Sequence, residues 1–261
     1  MKKIAVLSAG NGGQALAADL ALRGHDVALY DLPQFAPVIE AIRRRGNTIE
    51  LQNRITGTAT IRLVTTDIAE ALDGAQVVYF TAPSYGQKAF FDLAVPALSD
   101  GQIIVLMPGN YGTLALKAAL REAGKDVLVA ETDNLPYACA ATEPGVVNVR
   151  GIKKAVTLAA FPAGDYAAVE AAVDGAFCTG WRKGENVLAT SMSGVNMVVH
   201  CAPMLANAGR IESGEKFRHY FDGITPAIGD VVEQMDQERV AVGKAYGLDI
   251  LSLRDAYVHG S

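Results

Sequence analysis

Short runs of apolar residues alternate with segments of helical periodicity over the first half of the chain. The runs are rich in Val and Ile and too short for buried helices, so they predict strands that are buried on both faces. They lie at residues 4–7, 26–30, 75–81, 102–107 and 126–130. Buried strands that alternate with helices predict a parallel sheet covered by helices on both sides, which is a doubly wound α/β fold.

The pattern changes twice along this half. Residues 48–63 alternate between apolar and polar positions, which predicts an antiparallel excursion inserted between strands of the sheet. Two further apolar segments, 146–149 and 155–160, are predicted to close the same sheet. A helix is predicted over residues 165–177.

The remainder of the chain has a helical pattern. Residues 180–186 are predicted to form the junction, and no convincing strand pattern follows them. The clearest helix runs over 226–246, with Thr225 as its N-cap, Pro226 at its first position and Gly247 beyond its end. The sequence therefore predicts a mainly α-helical second domain.

Composition limits the classes of partner. Of the 261 residues, half are hydrophobic and 20% are charged, with a net charge of −5. An acidic chain without clustered Lys and Arg does not suggest nucleic-acid binding. The one basic run, Arg43 to Arg45, is predicted to solvate a helix end. No apolar run reaches the length that a membrane helix needs, so no membrane partner is expected.

Cysteine usage indicates a reducing compartment. Cys139, Cys178 and Cys201 are odd in number and widely separated, with no metal-ligand spacing and no disulfide framework. The apolar run after Met1 is too short for a signal peptide and leads into a glycine loop. A cytoplasmic protein without a metal site is therefore expected.

The first predicted strand runs into a glycine-rich loop that opens a helix. This loop matches G-x-G-x-x-A, and the expected cofactor-binding residues are Gly10, Asn11, Gly12, Gly13 and Ala15. The first glycine of this motif allows the tight turn, the second lets the backbone approach a pyrophosphate, and the alanine keeps the helix close to the strand. The helix N-terminus then presents N–H groups to the phosphates. Residues 1–180 are therefore predicted to form a Rossmann-type dinucleotide-binding domain.

Asp31 ends the second predicted strand, about 20 residues past the glycines. An acidic residue there suits the ribose 2′-hydroxyl of NAD and repels the 2′-phosphate of NADP, so NAD is the expected cofactor. NADP remains the alternative if the Arg43–Arg45 run folds back over the adenosine end. Asn110 and Thr132 follow sheet strands, where sites of α/β proteins lie. Asn110 is a candidate on the cofactor side, and Thr132 is a candidate substrate-binding residue.

Hydride transfer to a C=O or C=N carbon needs a positioned acid, and histidine is the usual choice. His200 lies in an apolar stretch just before Pro203. From the residues alone, a hydrogen-bonded core histidine is the favoured interpretation of this position, and a catalytic histidine is the alternative. His25, His219 and the histidine at position 259 are the other imidazoles in the chain.

Several motifs resemble those of the opine dehydrogenases, the octopine/nopaline dehydrogenase family. They are Asn196 to Glu212 with His200, Asn207 and Arg210, then Phe217 to Pro226, the Asp236-x-Glu238-Arg239 helix, and Glu131-Thr132 with Leu135 to Cys139. The resemblance implies an enzyme that joins an amino acid to a 2-oxo acid and reduces the imine with NAD(P)H. It also implies His200 as the catalytic acid/base. Asn207 and Arg210 are candidates for holding a substrate carboxylate, with capping or packing as the alternative.

Two departures from the family pattern limit this interpretation. The family's C-terminus is longer, and there its catalytic histidine is paired with an aspartate that this chain does not match, so the domain predicted over 181–261 is expected to be incomplete. Many relatives carry an arginine where residues 139–141 read Cys-Ala-Ala. The alternatives are a dehydrogenase of a simple hydroxy acid or polyol phosphate, and a non-catalytic dinucleotide-binding protein. Homodimerisation is also expected.

Overall fold

The computed structural model describes residues 1–177 and 179–259, with the side chain of residue 259 excepted. Cys178 lies outside the described residues. The chain divides into two compact units, Met1–Ser191 and Met192–Ser261. This boundary falls later than the predicted one at 180/181, because the predicted junction contains a strand, Gly180–Lys183, that pairs with the sheet of the first unit.

The first unit is built from two sheets and the helices between and around them. In chain order its strands are β1 (Lys3–Leu7), β2 (Asp26–Tyr30), β3 (Thr48–Asn53), β4 (Gly57–Thr60), β5 (Leu63–Thr65), β6 (Val77–Phe80), β7 (Ile103–Leu106), β8 (Leu128–Thr132), β9 (Tyr137–Glu143), β10 (Val146–Ile152), β11 (Ala155–Phe161) and β12 (Gly180–Lys183). Its helices are α1 (Asn11–Leu22), α2 (Ala36–Arg44), α3 (Ile68–Leu72), α4 (Gln87–Ala97), α5 (Gly112–Glu122), α6 (Tyr166–Val173) and α7 (Val187–Met192), whose last residue belongs to the second unit.

The main sheet has the strand order β12-β11-β8-β7-β6-β1-β2-β5. The five buried strands predicted from the sequence are confirmed as β1, β2, β6, β7 and β8, and their mutual pairings are parallel. The strand β11 joins the edge at β8 in antiparallel orientation, as a closing strand. The doubly wound parallel sheet of a Rossmann-type fold is therefore confirmed.

A second sheet, in the order β4-β3-β10-β9, corrects one prediction. The antiparallel pairing of β3 with β4 is confirmed, but β10 (the predicted 146–149 strand) does not close the main sheet. It pairs in parallel with β3 instead. Val147 and Val149 are fully buried and share a core with Ile49 and Leu51 of β3 and with α1. Burial against this helix, which no local pattern reveals, decides the partner of β10.

Helix α1 lies between the two sheets and is buried from Gly12 to Leu20. Most of its buried side chains are small, with Ala15, Ala17 and Ala18 in the shared core, so both sheets approach the helix backbone closely. One charged group is enclosed as well: Asp19 pairs with Arg23 and accepts a hydrogen bond from the hydroxyl of Tyr137 on β9. The helix is therefore buried on all sides and mostly apolar, as expected for an element covered by two layers.

The second unit is helical, as predicted. Its helices are α8 (Asn196–Ala206), α9 (Ala208–Glu212), α10 (His219–Asp222), α11 (Pro226–Ala245) and α12 (Leu253–His259). The predicted helix ends of α11 are confirmed: the side chain of Thr225 accepts a hydrogen bond from the amide of Ile228, and Gly247 has a φ of 73°. Val198 and Val199 of α8 pack against Val232 of α11. Among the described helices, none combines the length and apolar character that a membrane crossing requires.

A buried ion pair ties α11 to its surroundings in this unit. Arg239 donates to the carboxylate of Asp236 at 2.7 Å, and both side chains are almost fully buried. The guanidinium also donates to the carbonyls of Met192 and Leu251, while Asp236 accepts from the amide of Leu253. Two side chains of α11 therefore hold the segment before α8 and the segment that leads into α12.

Replacing Arg239 with methionine is expected to destabilise the second unit by about 3–5 kcal/mol, because it leaves a buried carboxylate without its cation. Native-state hydrogen exchange of the α11 amides measures this loss. The double variant Asp236→Leu/Arg239→Met should lose less than Arg239→Met alone, since no charge stays buried. Lys88→Met, which breaks the exposed Lys88–Asp92 pair, is the control and should change stability by about 0–1 kcal/mol. Equal exchange in Arg239→Met and wild-type protein would contradict this account.

Candidate active site

The glycine loop connects β1 to α1 in the first unit. A Cβ atom at Gly13 would lie 1.7 Å from the carbonyl oxygen of Ser8, so no side chain fits there. Gly10 is the N-cap of α1 and has an ordinary φ of −70°; the left-handed residue of this turn is Ser8, with a φ of 87°. The prediction that Gly10 supplies the tight turn is therefore wrong. The closest contact between helix and loop lies at Gly13, and Ala15 is buried in the core.

Two side chains of α1 anchor this loop to the second sheet. Gln14 donates to the carbonyl of Ala9 at 2.7 Å and accepts from the amide of Gly145 at 2.8 Å. The side-chain oxygen of Asn11 accepts from the amide of Ala141 at 2.9 Å. Asn11, predicted to bind cofactor through the loop, thus has its side-chain oxygen bonded to β9. Gln14 is not among the predicted site residues, because its only signal in the sequence is a polar position inside an apolar helix.

Asp31 lies directly beyond β2 and beside the glycine loop. Its two carboxylate oxygens accept from the amides of Ala9 and Leu32, each at 2.8 Å. Burial raises the pKa of Asp31, and the two amides oppose that shift. The acidic residue predicted to contact the ribose is therefore also a brace for the glycine loop.

The residues around the loop fit a dinucleotide. Gly10 caps α1 without a side-chain hydrogen bond, and the first turn of the helix contains no acidic residue, so its N-terminus favours an anion. Gly12 adds no side chain at this point; a Cβ atom there would meet only the flexible end of Leu135. The arginines of the basic run are occupied elsewhere: Arg43 donates to the carbonyl of Val64 and Arg45 pairs with Glu143.

Asn110 lies in the loop after β7, at the carboxyl edge of the main sheet. Both Asn110 and Tyr111 have left-handed backbone conformations, with φ values of 48° and 65°. The side chain of Asn110 donates to the hydroxyl of Ser84 at 3.1 Å, and the amide of Tyr111 donates to the hydroxyl of Ser191 at 2.8 Å. Two non-glycine residues in this conformation are costly, which is common at functional loops.

The end of β8 carries a buried carboxyl group, Glu131, which is part of a family-like motif in the sequence and is not among the predicted site residues. Glu131 is fully buried and accepts hydrogen bonds from the hydroxyls of Thr113 and Ser191. Burial raises the pKa of Glu131 to about 7, against the effect of these two donors. Thr132 is also fully buried, and its hydroxyl donates to the carbonyl of Asn134 at 2.7 Å. The substrate-binding role of Thr132 stays a prediction. Its hydroxyl hydrogen is already donated to the carbonyl of Asn134 within the protein.

His200 lies on α8 of the second unit and is half-buried. Its Nε2 atom is 3.4 Å from the hydroxyl of Tyr220, and the ring of His219 lies beside it. Partial burial and the charge of His219 lower the pKa of His200. His200 is therefore not the enclosed core histidine that its apolar neighbours suggest, and its environment favours the neutral imidazole.

Asn207 and Arg210 are bonded within the second unit. The amide of Asn207 donates to the carbonyls of Pro203 and Gly223, each at 2.8 Å. Arg210 donates to the side chain of Asn207 and to Glu215, and its guanidinium lies 4.3 Å from the ring centre of Phe217. These contacts match the packing alternative, and the substrate-binding role of both residues stays a prediction. Within the described residues, no group of three metal-ligating side chains occurs.

Comparison with known protein families covers both units. Residues 183–260 match the α-helical domain of NAD/NADP octopine/nopaline dehydrogenase. Residues 3–108 match the N-terminus of NAD-dependent glycerol-3-phosphate dehydrogenase.

Individual relatives extend this match to nearly the whole chain. An opine dehydrogenase of Arthrobacter sp. (strain 1C) is 38% identical over 258 residues, which cover 98% of this chain and 71% of the relative. A solved octopine dehydrogenase in complex with NADH and agmatine superposes with a TM-score of 0.76 at 21% identity, covering 99% of this chain and 69% of the other. A yersinopine dehydrogenase with NADP⁺ bound gives a TM-score of 0.74 at 16% identity, covering 96% and 66%. The chain belongs to the opine dehydrogenase family, and it is an NAD(P)-dependent oxidoreductase that acts on CH–NH bonds.

Proposed function

We propose that this enzyme uses NADH to reduce the imine formed from an amino acid and a 2-oxo acid, with His200 as the acid/base. The observation that carries the proposal is the half-buried imidazole of His200, on a helix of the segment that matches the family's α-helical domain. A solved relative carries NADH and L-arginine, and another carries NADH and pyruvate. These ligands support an amino acid and a 2-oxo acid as the substrate pair.

The chemistry assigns one proton to His200. The amine adds to the 2-oxo carbon and water leaves, which gives the imine. NADH, when bound, supplies the hydride that reaches the imine carbon. The imine takes up the hydride in its protonated form and becomes the neutral secondary amine, whose nitrogen His200 then protonates. In the oxidative direction His200 removes that proton from the secondary ammonium. A histidine with a lowered pKa is suited to the second role, because it is already neutral near pH 7.

A second candidate function is the reduction of a simple 2-oxo acid or of a polyol phosphate precursor. The match of residues 3–108 to a glycerol-3-phosphate dehydrogenase N-terminus favours it. That segment holds the glycine loop and not His200, so it argues for the cofactor more than for the substrate. The identity of the chain to an opine dehydrogenase extends through the helical segment, which favours the imine reaction.

A substrate panel separates the two functions. We expect NADH oxidation only when an amino acid and a 2-oxo acid are both present, because the reducible bond is the C=N bond between them. Absorbance of NADH measures the rate with each substrate alone and with pairs. Turnover with the 2-oxo compound alone, at the rate of the pair, would assign the enzyme to the second candidate function.

His200→Gln is expected to lower kcat by about 10²–10⁴-fold, because the proton loses its acceptor, while the Kd for NADH stays unchanged. In the oxidative direction a base must be neutral, so kcat/KM falls as the pH drops through the pKa of His200. Since that pKa is lowered, the acidic limb lies below about pH 6.5, the ordinary value for histidine. His25→Gln is the matched control and should keep the wild-type rate. An undiminished kcat in His200→Gln would rule out the acid/base role.

We expect tighter binding of NADH than of NADPH, because the carboxylate of Asp31 repels a 2′-phosphate. Asp31→Asn removes that charge and should narrow the ratio of the two Kd values by about tenfold, the effect of a nearby like charge. Both Kd values should also rise, since asparagine offers one acceptor to the amides of Ala9 and Leu32. Asp26→Asn, at the opposite end of β2, is the control. Tighter NADPH binding by the wild-type enzyme would contradict the assignment.

Homodimerisation and a cytoplasmic location stay predictions. The second unit exposes several large apolar side chains, and a second copy of the chain that covers them would remove this apolar surface from water, which supports the predicted homodimer. They include Met204, Leu205, Phe221, Leu251 and Val258.

A further inference from the structure

Three aromatic rings form a cluster in the second unit, and we call them the His200 cluster: His200 of α8 with His219 and Tyr220 of α10. The ring centres of His200 and His219 are 5.1 Å apart, and those of His219 and Tyr220 are 4.8 Å apart. Tyr220 also lies beside His200, with 5.9 Å between ring centres. Each ring therefore lies beside the other two, so His219 and Tyr220 are both direct neighbours of His200, the acid/base candidate.

One hydrogen bond joins this cluster to the backbone of α8, and a second contact lies within it. The Nε2 atom of His219 is 3.0 Å from the carbonyl oxygen of Val199, the residue before His200. A carbonyl only accepts, so this nitrogen carries the hydrogen. His219 is thereby held next to His200. The hydroxyl of Tyr220 lies 3.4 Å from Nε2 of His200, within reach of a hydrogen bond.

The hydroxyl of Tyr220 matches both protonation states of His200. A phenol donates and accepts, and the lone pair of a neutral imidazole nitrogen is a strong acceptor. When His200 is neutral, the hydroxyl donates to Nε2, which leaves the hydrogen of the ring on Nδ1. When His200 is protonated, Nε2–H donates to the phenolic oxygen. The same contact therefore orients the ring both before Nε2 gains a proton and after it has gained one.

The charges around the cluster single out His219 as the neighbour that acts on His200. Arg218, the N-cap of α10, and Asp222, its last residue, pair with each other through two side-chain hydrogen bonds, so their charges largely cancel. Where α11 packs against α8, the contact is apolar and includes Val232. On α12, Tyr257 interacts electrostatically with Tyr220. After burial, repulsion from His219 is the cause that lowers the pKa of His200.

We infer that Tyr220 is a positioning residue for the imidazole of His200 and that His219 sets the pH at which His200 exchanges a proton with the substrate. This inference rests on the acid/base role proposed above for His200. In the oxidative direction the secondary ammonium displaces the hydroxyl of Tyr220 from the lone pair of Nε2 and transfers its proton there, after which Nε2–H donates to the phenolic oxygen. In the reductive direction Nε2–H returns that proton to the substrate nitrogen. Neither step needs a further co-reactant.

Nitrogen-15 NMR of histidine-labelled enzyme tests the arrangement directly, with His200→Gln to assign the resonances. We expect neutral His200 in the wild-type enzyme to carry its hydrogen on Nδ1, and Tyr220→Phe to show a mixture of the two tautomers. Tyr220→Phe should also lower kcat by about tenfold with KM unchanged, the effect of one lost neutral hydrogen bond in the reacting state. Tyr246→Phe removes an exposed hydroxyl from the same unit and should match the wild-type enzyme in both measurements.

His219→Gln tests the electrostatic half of the inference. Glutamine keeps an N–H donor for the carbonyl of Val199 but carries no charge. The pKa of His200 read by NMR should therefore rise, and the acidic limb of kcat/KM for oxidation should move to higher pH by the same amount. An unmoved limb would overturn this half.

An Nε2–H tautomer in the wild-type enzyme, or an unchanged tautomer in Tyr220→Phe, would overturn the role of Tyr220. Full activity of His200→Gln would instead overturn the proposed acid/base role. The NMR results would then still decide the arrangement of the cluster, because they read the imidazole without turnover.

Discussion

The burial of α1 between two sheets is the constraint on which the first unit depends. An apolar helix enclosed from Gly12 to Leu20 cannot move without opening both layers, so its N-terminus is fixed in space. Close packing makes Gly13 obligatory, because any side chain would meet the carbonyl of Ser8. Asp19 is accommodated by Arg23 and Tyr137, which satisfies the one charge inside the layers. The glycine loop is therefore rigid because of this packing.

Polar contacts then convert a packed helix into a defined site. Gln14 and Asn11 bond the loop to the second sheet, and Asp31 braces it from β2. These side chains bond to backbone groups outside the first turn of α1, so they hold the geometry of the loop and leave the N–H groups at the start of α1 to an anion. In the second unit, the Asp236–Arg239 pair has a comparable role, since it holds the segment that precedes α8, the helix that carries the candidate acid/base.

The sequence reveals those features whose cause is local. Val- and Ile-rich strands, the glycine loop and the capped helix α11 follow from periodicity and residue type, and each is confirmed. The second sheet could not be predicted, because β10 pairs with β3, about a hundred residues earlier, through a core that both strands share with α1. For the same reason, the sequence does not predict the hydrogen bonds of Asp31 and Asn207 within the protein or the cluster around His200. Their partners are distant in sequence and recognisable only as geometry.

If the enzyme reduces an imine, one carbon of the product must bear both the hydrogen transferred from NADH and the nitrogen of the amino acid. Mass spectrometry of the product formed from deuterated NADH, an amino acid and a 2-oxo acid tests this requirement most directly. The account predicts a secondary-amine dicarboxylate with one deuterium on the former 2-oxo carbon, which now also bears the amino acid nitrogen. A deuterated 2-hydroxy acid, with the amino acid recovered unchanged, would contradict it.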